Sequence, residues 1–232
     1  MIGIIGAMDI EVNGITEKMT DKETKIISGT KFTYGKINNT ECVAAKCGIG
    51  KVNAAIAAQS MILTYHPACI INTGIGGGTG KDIHIGSIVI AKNVVQHDMD
   101  TTAVGDEPAT LFFPQENIVY IPCDSMITER LELACERVGE KNYTVGTIAT
   151  GDQFISGTGK RLLLHNQFNA LACEMEGGSI GHVCYINHTP FAILRSVSDS
   201  VSSEDDAVEY HTFSRMAAEK AVKIVLEFLQ LC

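Results

Sequence analysis

Ala170-Leu171-Ala172-Cys173-Glu174-Met175-Glu176-Gly177-Gly178 joins a small apolar run to two carboxylates and a glycine pair. The run before Glu174 has the composition of a buried strand in an α/β sheet. Side chains alternate along a strand, so Glu174 and Glu176 are expected on one face, with Met175 on the other. An ionised carboxylate is costly to bury alone, so an acidic pair at such a strand end calls for partners or a polar ligand. A strand that merely ends in solvated glutamates would carry the same letters, and the rest of the chain decides between the two. The glycines let the chain turn closely into a helix expected over residues 179–185.

Working outward, strand-like and helix-like segments alternate. Upstream lie a strand over 143–149, followed by Gly151-Asp152-Gln153-Phe154-Ile155, and a helical piece over 160–168. Downstream, 190–197 reads as a last buried strand ending in Ser198-Asp199. The stretch 210–231 then carries a helical stripe through Phe213, Met216, Ala217, Ala221, Ile224, Val225, Phe228 and Leu229. Toward the N-terminus, residues 1–5 form an apolar strand that leads through Gly6 into a polar helix, with Asp9 as its expected N-cap. Segments 31–37 and 41–47 pair as a hairpin across Asn38-Asn39. A helix over 52–65 ends before Pro67, a buried strand spans 69–72, and a glycine loop covers 74–80. A strand over 85–95 leads to His97-Asp98-Met99-Asp100. Residues 101–122 are a long irregular loop of functional or interfacial character, and a helix over 125–138 is capped by Asp124 or Ser125. This alternation predicts an α/β fold: a single three-layer domain over residues 1–232, its central sheet mixed but mainly parallel and flanked by helices.

Composition narrows the function. A formal net charge of −9 and scattered lysines and arginines argue against a nucleic-acid partner. The eight cysteines include no CxxC pair and sit mostly in apolar stretches, which suits reduced thiols in the cytoplasm. The N-terminus lacks a basic segment ahead of its apolar run, so a signal peptide is not expected. The uncharged stretch 52–80 is broken by Gln59, His66-Pro67, Asn72 and the glycines, so a membrane span is not expected either.

The glycine segments do not read as phosphate loops. GxxxxGK with Ser or Thr fails at Gly80-Lys81, because Ile75 and Asp82 occupy required positions, and Gly159-Lys160 fails at Phe154 and Arg161. GxGxxG fails at Thr79. Acids, by contrast, recur at strand ends. Glu11, Glu176 and Asp199 each follow an apolar strand, and in a parallel sheet those ends share one edge. Glycosidic hydrolysis uses such a set: one carboxylate to activate water, a protonated acid to assist the leaving group, and a polar group to hold sugar hydroxyls. The alternative is a divalent metal site, for which His97-Asp98-Met99-Asp100 is the natural candidate; capping and hydrogen bonding are the more common use of that motif.

Gly3-Ile4-Ile5-Gly6-Ala7-Met8-Asp9-Ile10-Glu11, Gly48-Ile49-Gly50-Lys51-Val52, Asn72-Thr73-Gly74, Gly151-Asp152-Gln153-Phe154-Ile155, Glu174-Met175-Glu176 and Arg195-Ser196-Val197-Ser198-Asp199 occur in one order along nearly the whole chain. Together they resemble the 5′-methylthioadenosine/S-adenosylhomocysteine nucleosidases of the purine nucleoside phosphorylase superfamily. The resemblance implies a nucleoside phosphorylase-like fold, a small-molecule nucleoside substrate, no cofactor and no metal, and a homodimer. It implies Glu11 as the base that activates water and Asp199 as the acid toward adenine N7. Glu176 would bind ribose hydroxyls beside Met175, Phe154 would stack on adenine, and the Ile155 backbone would read the base edge. Ile49, Tyr210 and Phe213 would stand near the alkylthio end, with Met8, Glu174 and Ser198 completing the substrate site.

Asp199 must carry a proton to act as that acid, which partial burial favours and Arg195, four residues earlier, opposes unless turned away. The chain departs from the family at Ile75, where a small residue is expected, at Val104 and Asp106, where aromatics are common, and at Gly177-Gly178. These put the 5′-substituent preference and the dimer contacts in question. A phosphorylase is the main rival, but the five arginines (Arg130, Arg137, Arg161, Arg195, Arg215) are remote in sequence from the Gly6 and Gly74 segments, and Glu11 would repel phosphate. Other rivals are a hydrolase for 5′-deoxyadenosine or a futalosine-like nucleoside, and a non-catalytic nucleoside-binding protein.

Overall fold

The structure, a computed structural model, describes residues 1–201 and 206–232. The chain opens with β1 (Ile2–Gly6), α1 (Asp9–Lys18), β2 (Thr20–Ile27), β3 (Thr30–Ile37) and β4 (Thr40–Lys46). α2 (Lys51–Tyr65), β5 (Cys69–Gly78) and β6 (Ile88–Gln96) follow. The long connection holds a short 3-10 turn at Thr102–Val104 and the small strands β7 (Leu111–Phe112), β8 (Asn117–Ile118) and β9 (Tyr120–Pro122). Then come α3 (Ser125–Arg137), β10 (Tyr143–Thr150), α4 (Thr158–Phe168), β11 (Ala170–Glu174), α5 (Gly177–Ile186), β12 (Phe191–Asp199) and α6 (Asp206–Gln230).

The main sheet runs β11-β10-β6-β12-β5-β1-β4-β3-β2, with β9 added beside β6. Its centre is parallel: β1 pairs with β4 and β5, β5 with β12, β6 with β10, and β10 with β11. Two antiparallel pairings, β12 with β6 and β11 with β5, make the sheet mixed. The second of these joins Cys173 to Gly77 and Ala172 to Gly78, so β5, β12, β6, β10 and β11 close into a ring.

Two apolar cores cover the two faces. Ile4 packs with α1, α3 and α6, while its neighbour Ile5 packs with α2 and α5. This is period-two alternation in a strand buried on both sides, which is why β1 reads as an unbroken apolar run. The stripe on α6 buries Ala217, Ala221, Ile224, Val225, Phe228 and Leu229, whereas Met216 on the same helix is exposed. Among the described residues, no helix is long and apolar enough to cross a membrane.

Four sequence expectations change. The glycine segment after Asn72 is not a loop: β5 continues through Gly78 and is buried throughout. There the missing side chains make room for neighbours that cross the strand. β2, unanticipated because Asp21-Lys22-Glu23-Thr24-Lys25 carries no apolar alternation, is an exposed, charged edge strand. Asp9 is the first residue of α1 rather than its cap; Met8 holds the cap position, and Asp9 pairs with Lys46. Glu174 and Glu176 do not share a strand face, because β11 ends at Glu174 and Glu176 occupies the N-cap position of α5. The expected Asp124 cap of α3 is present, its Oδ1 accepting the Ile127 N–H at 3.0 Å.

Phe228 is almost fully buried where α6 packs on the sheet. Phe228→Ala is expected to cost about 3–5 kcal/mol of unfolding free energy, read from urea denaturation. A loss below about 1 kcal/mol would contradict this packing.

Candidate active site

A cavity of about 370 Å³ opens where β1, β5, β11 and β12 end. It is lined by Met8, Glu11, Ile49, Phe154, Ile155, Glu174, Met175, Glu176, Ser198, Asp199 and Tyr210, which converge from six parts of the chain. Phe213 alone of the expected site residues is outside the lining. It lies three residues beyond Tyr210 on α6 and does not line the cavity. Ala7, Ile75, Gly76, Gly77, Gln153 and Cys173 line it as well. Gln153 and Cys173 adjoin expected site residues in sequence, but nothing local marked them.

Glu11 is fixed by backbone donors. Its Oε2 accepts the N–H groups of Ala7 (2.7 Å) and Met8 (2.9 Å), and its Oε1 accepts that of Ile75 (3.0 Å). Burial pushes its pKa above the ordinary glutamate value. The Arg195 charge and the three N–H groups pull the other way without cancelling that rise. Glycine makes the geometry possible: a Cβ on Gly74 would stand 2.6 Å from Glu11 Oε1 and 2.9 Å from its carboxyl carbon.

Glu174 borders the cavity, but its carboxylate serves the protein. Oε1 accepts the Thr150 hydroxyl, and Oε2 accepts the N–H groups of Glu176 (3.0 Å) and Gly177 (2.7 Å) together with the Arg195 guanidinium. Arg195 also donates to Asn72 Oδ1 at 2.5 Å. Glu176 accepts the Gly50 N–H at 2.8 Å. Burial, and then the charge of Glu174, push its pKa up to about 7, against the pull of Arg195 and the Gly50 N–H.

Asp199 reaches the cavity through an irregularity in β12. Val197 pairs with Gly76 and Asp199 with Gly77, leaving Ser198 as an extra residue. Such a bulge re-aims a side chain. Consequently Asp199 does not share the face of Arg195: a Cβ on Gly76 would meet Arg195, and one on Gly77 would meet Asp199. Arg195 is therefore turned away from Asp199, and a different arginine takes its place. Arg161 of α4, fully buried, forms an ion pair with Asp199 Oδ2, while the Ser198 hydroxyl donates to Oδ1 at 2.6 Å. No local signal in the sequence placed Arg161 here. Arginines distant in sequence from the Gly74 segment are thus close to it in space, since Arg195 pairs in register with Gly74.

The mouth is apolar. Phe154 is half-exposed and meets the Tyr210 ring edge-on at 5.5 Å, and the Tyr210 hydroxyl donates to Met8 Sδ at 3.4 Å. Burial pushes the Cys173 thiol up to about 12, so it remains neutral. His97-Asp98-Met99-Asp100 is engaged in hydrogen bonding: Asp98 pairs with Lys51 and accepts the Asp152 N–H, and Asp100 Oδ1 accepts from Thr102. Among the described residues, no group of three or more His, Cys, Asp or Glu is arranged to hold a metal ion.

Residues 1–230 match the model of a family described as the phosphorylase superfamily. The chain belongs to that superfamily. Within it, the chain is 38% identical over 231 residues to the 5′-methylthioadenosine/S-adenosylhomocysteine nucleosidase of Staphylococcus carnosus, covering 99% of each chain. The Neisseria meningitidis nucleosidase of that name, in complex with methylthio-immucillin-A, superposes with a TM-score of 0.93 at 31% identity, over 100% of this chain and 99% of the other. A futalosine hydrolase mutant of Helicobacter pylori gives 0.93 at 29% identity, over the same shares of the two chains. The superfamily fold and the enzyme class expected from the sequence are those of these relatives, which are N-glycosyl hydrolases by name.

Gly74→Ala is expected to lower nucleosidase kcat/KM by roughly 100-fold, because a displacement of about 1 Å at a reacting group has that effect. Gly159→Ala, where a Cβ meets nothing within 4 Å, serves as the control and keeps activity. Equal activities would contradict the fixed position of Glu11.

Proposed function

We propose that this protein hydrolyses the N-glycosidic bond of 5′-methylthioadenosine and S-adenosylhomocysteine, releasing adenine and the thioribose product. The observation that carries the reading is one cavity lined by Glu11, Glu176 and Asp199, with an apolar mouth and, among the described residues, no lysine or arginine in its lining. Glu11 takes a proton from water as the water oxygen bonds to C1′. The bond from C1′ to adenine N9 breaks, and Asp199 delivers a proton to N7, so adenine leaves neutral. Positive charge accumulates on the ribosyl group on the way, and the carboxylates of a buried site stabilise it. Glu176 accepts from the ribose hydroxyls beside Met175. Phe154 stacks on the base, with the Ile155 backbone along its edge. Glu174 acts at one remove, by holding the Glu176 turn.

A phosphorylase would need cations facing the sugar. The two buried arginines near the cavity are already paired, Arg195 with Glu174 and Arg161 with Asp199. The half-exposed apolar mouth of Ile49, Phe154 and Tyr210 suits an alkylthio group better than the charged end of a futalosine-like substrate. No cofactor takes part in this reading.

The protein works in the cytoplasm, in methionine salvage and the methyl cycle, with residues 1–232 acting as one domain. Its eight free cysteines, six of them buried, fit a reducing compartment. It acts as a homodimer. Ile49, Val52, Ile56 and Leu63 are all exposed along and just before α2, an apolar stripe at helical spacing that a second subunit would cover.

The test is adenine release from 5′-methylthioadenosine in metal-free buffer, with and without phosphate. Phosphate-independent release is expected, and Glu11→Gln or Asp199→Asn is expected to reduce it by about 10²–10⁴-fold. Near-normal activity in either variant would overturn the assigned role. The pH profile gives a further check. Glu11 works ionised and its pKa is raised, so kcat/KM falls on acidification at a pH above about 4.3, the value for an ordinary glutamate. A flat profile down to that value would contradict the burial of the base.

A further inference from the structure

The His97-Asp98-Met99-Asp100 stretch just after β6 does not line the cavity, yet Asp98 stands between two segments that do. One is the Gly48-Ile49-Gly50-Lys51 turn into α2, and the other is Gly151-Asp152-Gln153-Phe154-Ile155 after β10. Asp98 Oδ1 accepts from the Lys51 ammonium at 2.6 Å, and its Oδ2 accepts the Asp152 N–H at 2.9 Å. Asp152 closes the bridge, its own Oδ1 accepting the Lys51 N–H at 2.8 Å. The side chains of Lys51 and Asp98 are 21% and 15% exposed, so this is a sheltered pair and not a solvated surface contact. Burial alone would raise the Asp98 pKa; Lys51 and the Asp152 N–H outweigh it and hold it below the ordinary aspartate value, so the bridge is ionised at neutral pH.

Each end of this bridge is one residue from the substrate site. Gly50, immediately before Lys51, donates its N–H to Glu176 Oε1 at 2.8 Å, and Ile49 lines the cavity. Gln153, Phe154 and Ile155, immediately after Asp152, line it too. The backbone is shaped for the contact: Gly50 has a φ of 96°, and a Cβ there would stand 3.0 Å from Asp152 Oδ1. We propose that Asp98 is a positioning residue: through Lys51 and Asp152 it holds the sugar-binding and base-binding segments at the separation that the glycosidic bond requires. The inference rests on the nucleoside hydrolase reading, in which Glu176 takes the ribose and Phe154 and Ile155 take the base. The bond between those two halves is the one that breaks. With the bridge open each half still binds, but C1′ and N9 are no longer presented to Glu11 and Asp199 in reacting alignment.

A merely stabilising role for the same contacts has a different consequence. If Asp98 only kept residues 151–155 folded, its removal would weaken binding of the base alone as much as it slowed turnover of the whole nucleoside. If it sets a separation, a ligand that fills only the base half needs no separation and binds nearly unchanged. Adenine, the product of the proposed reaction, is that ligand. The chemistry of the contacts also divides the two aspartates. At Asp152 one acceptor oxygen is in use, and Asn supplies it at the same length. At Asp98 both oxygens accept, so Asn would turn an NH2 toward one of two donors.

The experiment is steady-state turnover of 5′-methylthioadenosine, with product inhibition by adenine, for wild type, Asp98→Asn, Asp98→Ala, Lys51→Met, Asp152→Ala and Asp152→Asn, folding being checked by circular dichroism. Asp98→Asn, Asp98→Ala and Asp152→Ala are expected to lower kcat by roughly 10–100-fold, while KM and the adenine inhibition constant change by less than about threefold. Asp152→Asn, the conservative variant, keeps kcat within about threefold of wild type. Asp98→Ala combined with Asp152→Ala loses no more than the worse single variant, because both open the same bridge. Near-normal kcat in folded Asp98 variants overturns the proposal, and so does an adenine inhibition constant that rises as far as kcat falls. If the Asp98 variants do not fold, Lys51→Met, which removes the cation and keeps the backbone N–H, decides by the same two criteria. No adenine release by wild type removes the hydrolase reading and this proposal with it, whereas unimpaired Asp98 variants beside an active wild type remove only the positioning role.

Discussion

The ion pair of Arg195 with Glu174 sits where β11 folds back across the end of β5, with both side chains 2% exposed. Breaking such a pair by removing one partner leaves a buried charge, a loss of about 3–5 kcal/mol. The rest of the site hangs on it. Glu174 holds the N–H groups of Glu176 and Gly177 and so sets the turn into α5; Arg195 holds Asn72, whose amide in turn donates to the Ile5 carbonyl at 2.9 Å. The cation also counters the desolvation of Glu11 and Glu176. One buried guanidinium therefore ties three strand ends together and makes three carboxylates tolerable in one cavity.

Charge and backbone solve the same problem in complementary ways. Glu11 receives three N–H groups, Glu174 an arginine and two N–H groups, and Asp199 an arginine and a hydroxyl. The Glu11 and Asp199 arrangements need close approach across β5, and Gly74 and Gly77 supply the room. The result is a set of carboxylates in unequal environments, which is what acid and base roles in one site require. Glu11 is held by backbone donors and has its pKa raised by burial, whereas Asp199 is held by an arginine and a hydroxyl.

Much of this was legible in the sequence. The alternation of apolar runs with helical stripes predicts the α/β class, and acids after apolar strands predict one edge where Glu11, Glu176 and Asp199 meet. What escaped was non-local. Residues 74–78 read as a glycine loop because glycine signals flexibility when its neighbours are unknown, and only the crossing side chains explain an extended strand. The bulge at Ser198 is invisible in letters, so Arg195 was the expected neighbour of Asp199 in place of Arg161, which arrives from a separate helix. Phe213 was placed through the family resemblance, and it lies outside the cavity lining.

The claim that water, activated by Glu11, is the nucleophile is tested most directly by running the reaction in heavy-oxygen water with phosphate present, and weighing the products. One heavy oxygen on C1 of the thioribose, none in adenine, and no sugar phosphate is the predicted result. An unlabelled ribosyl phosphate would contradict it and make phosphate the nucleophile.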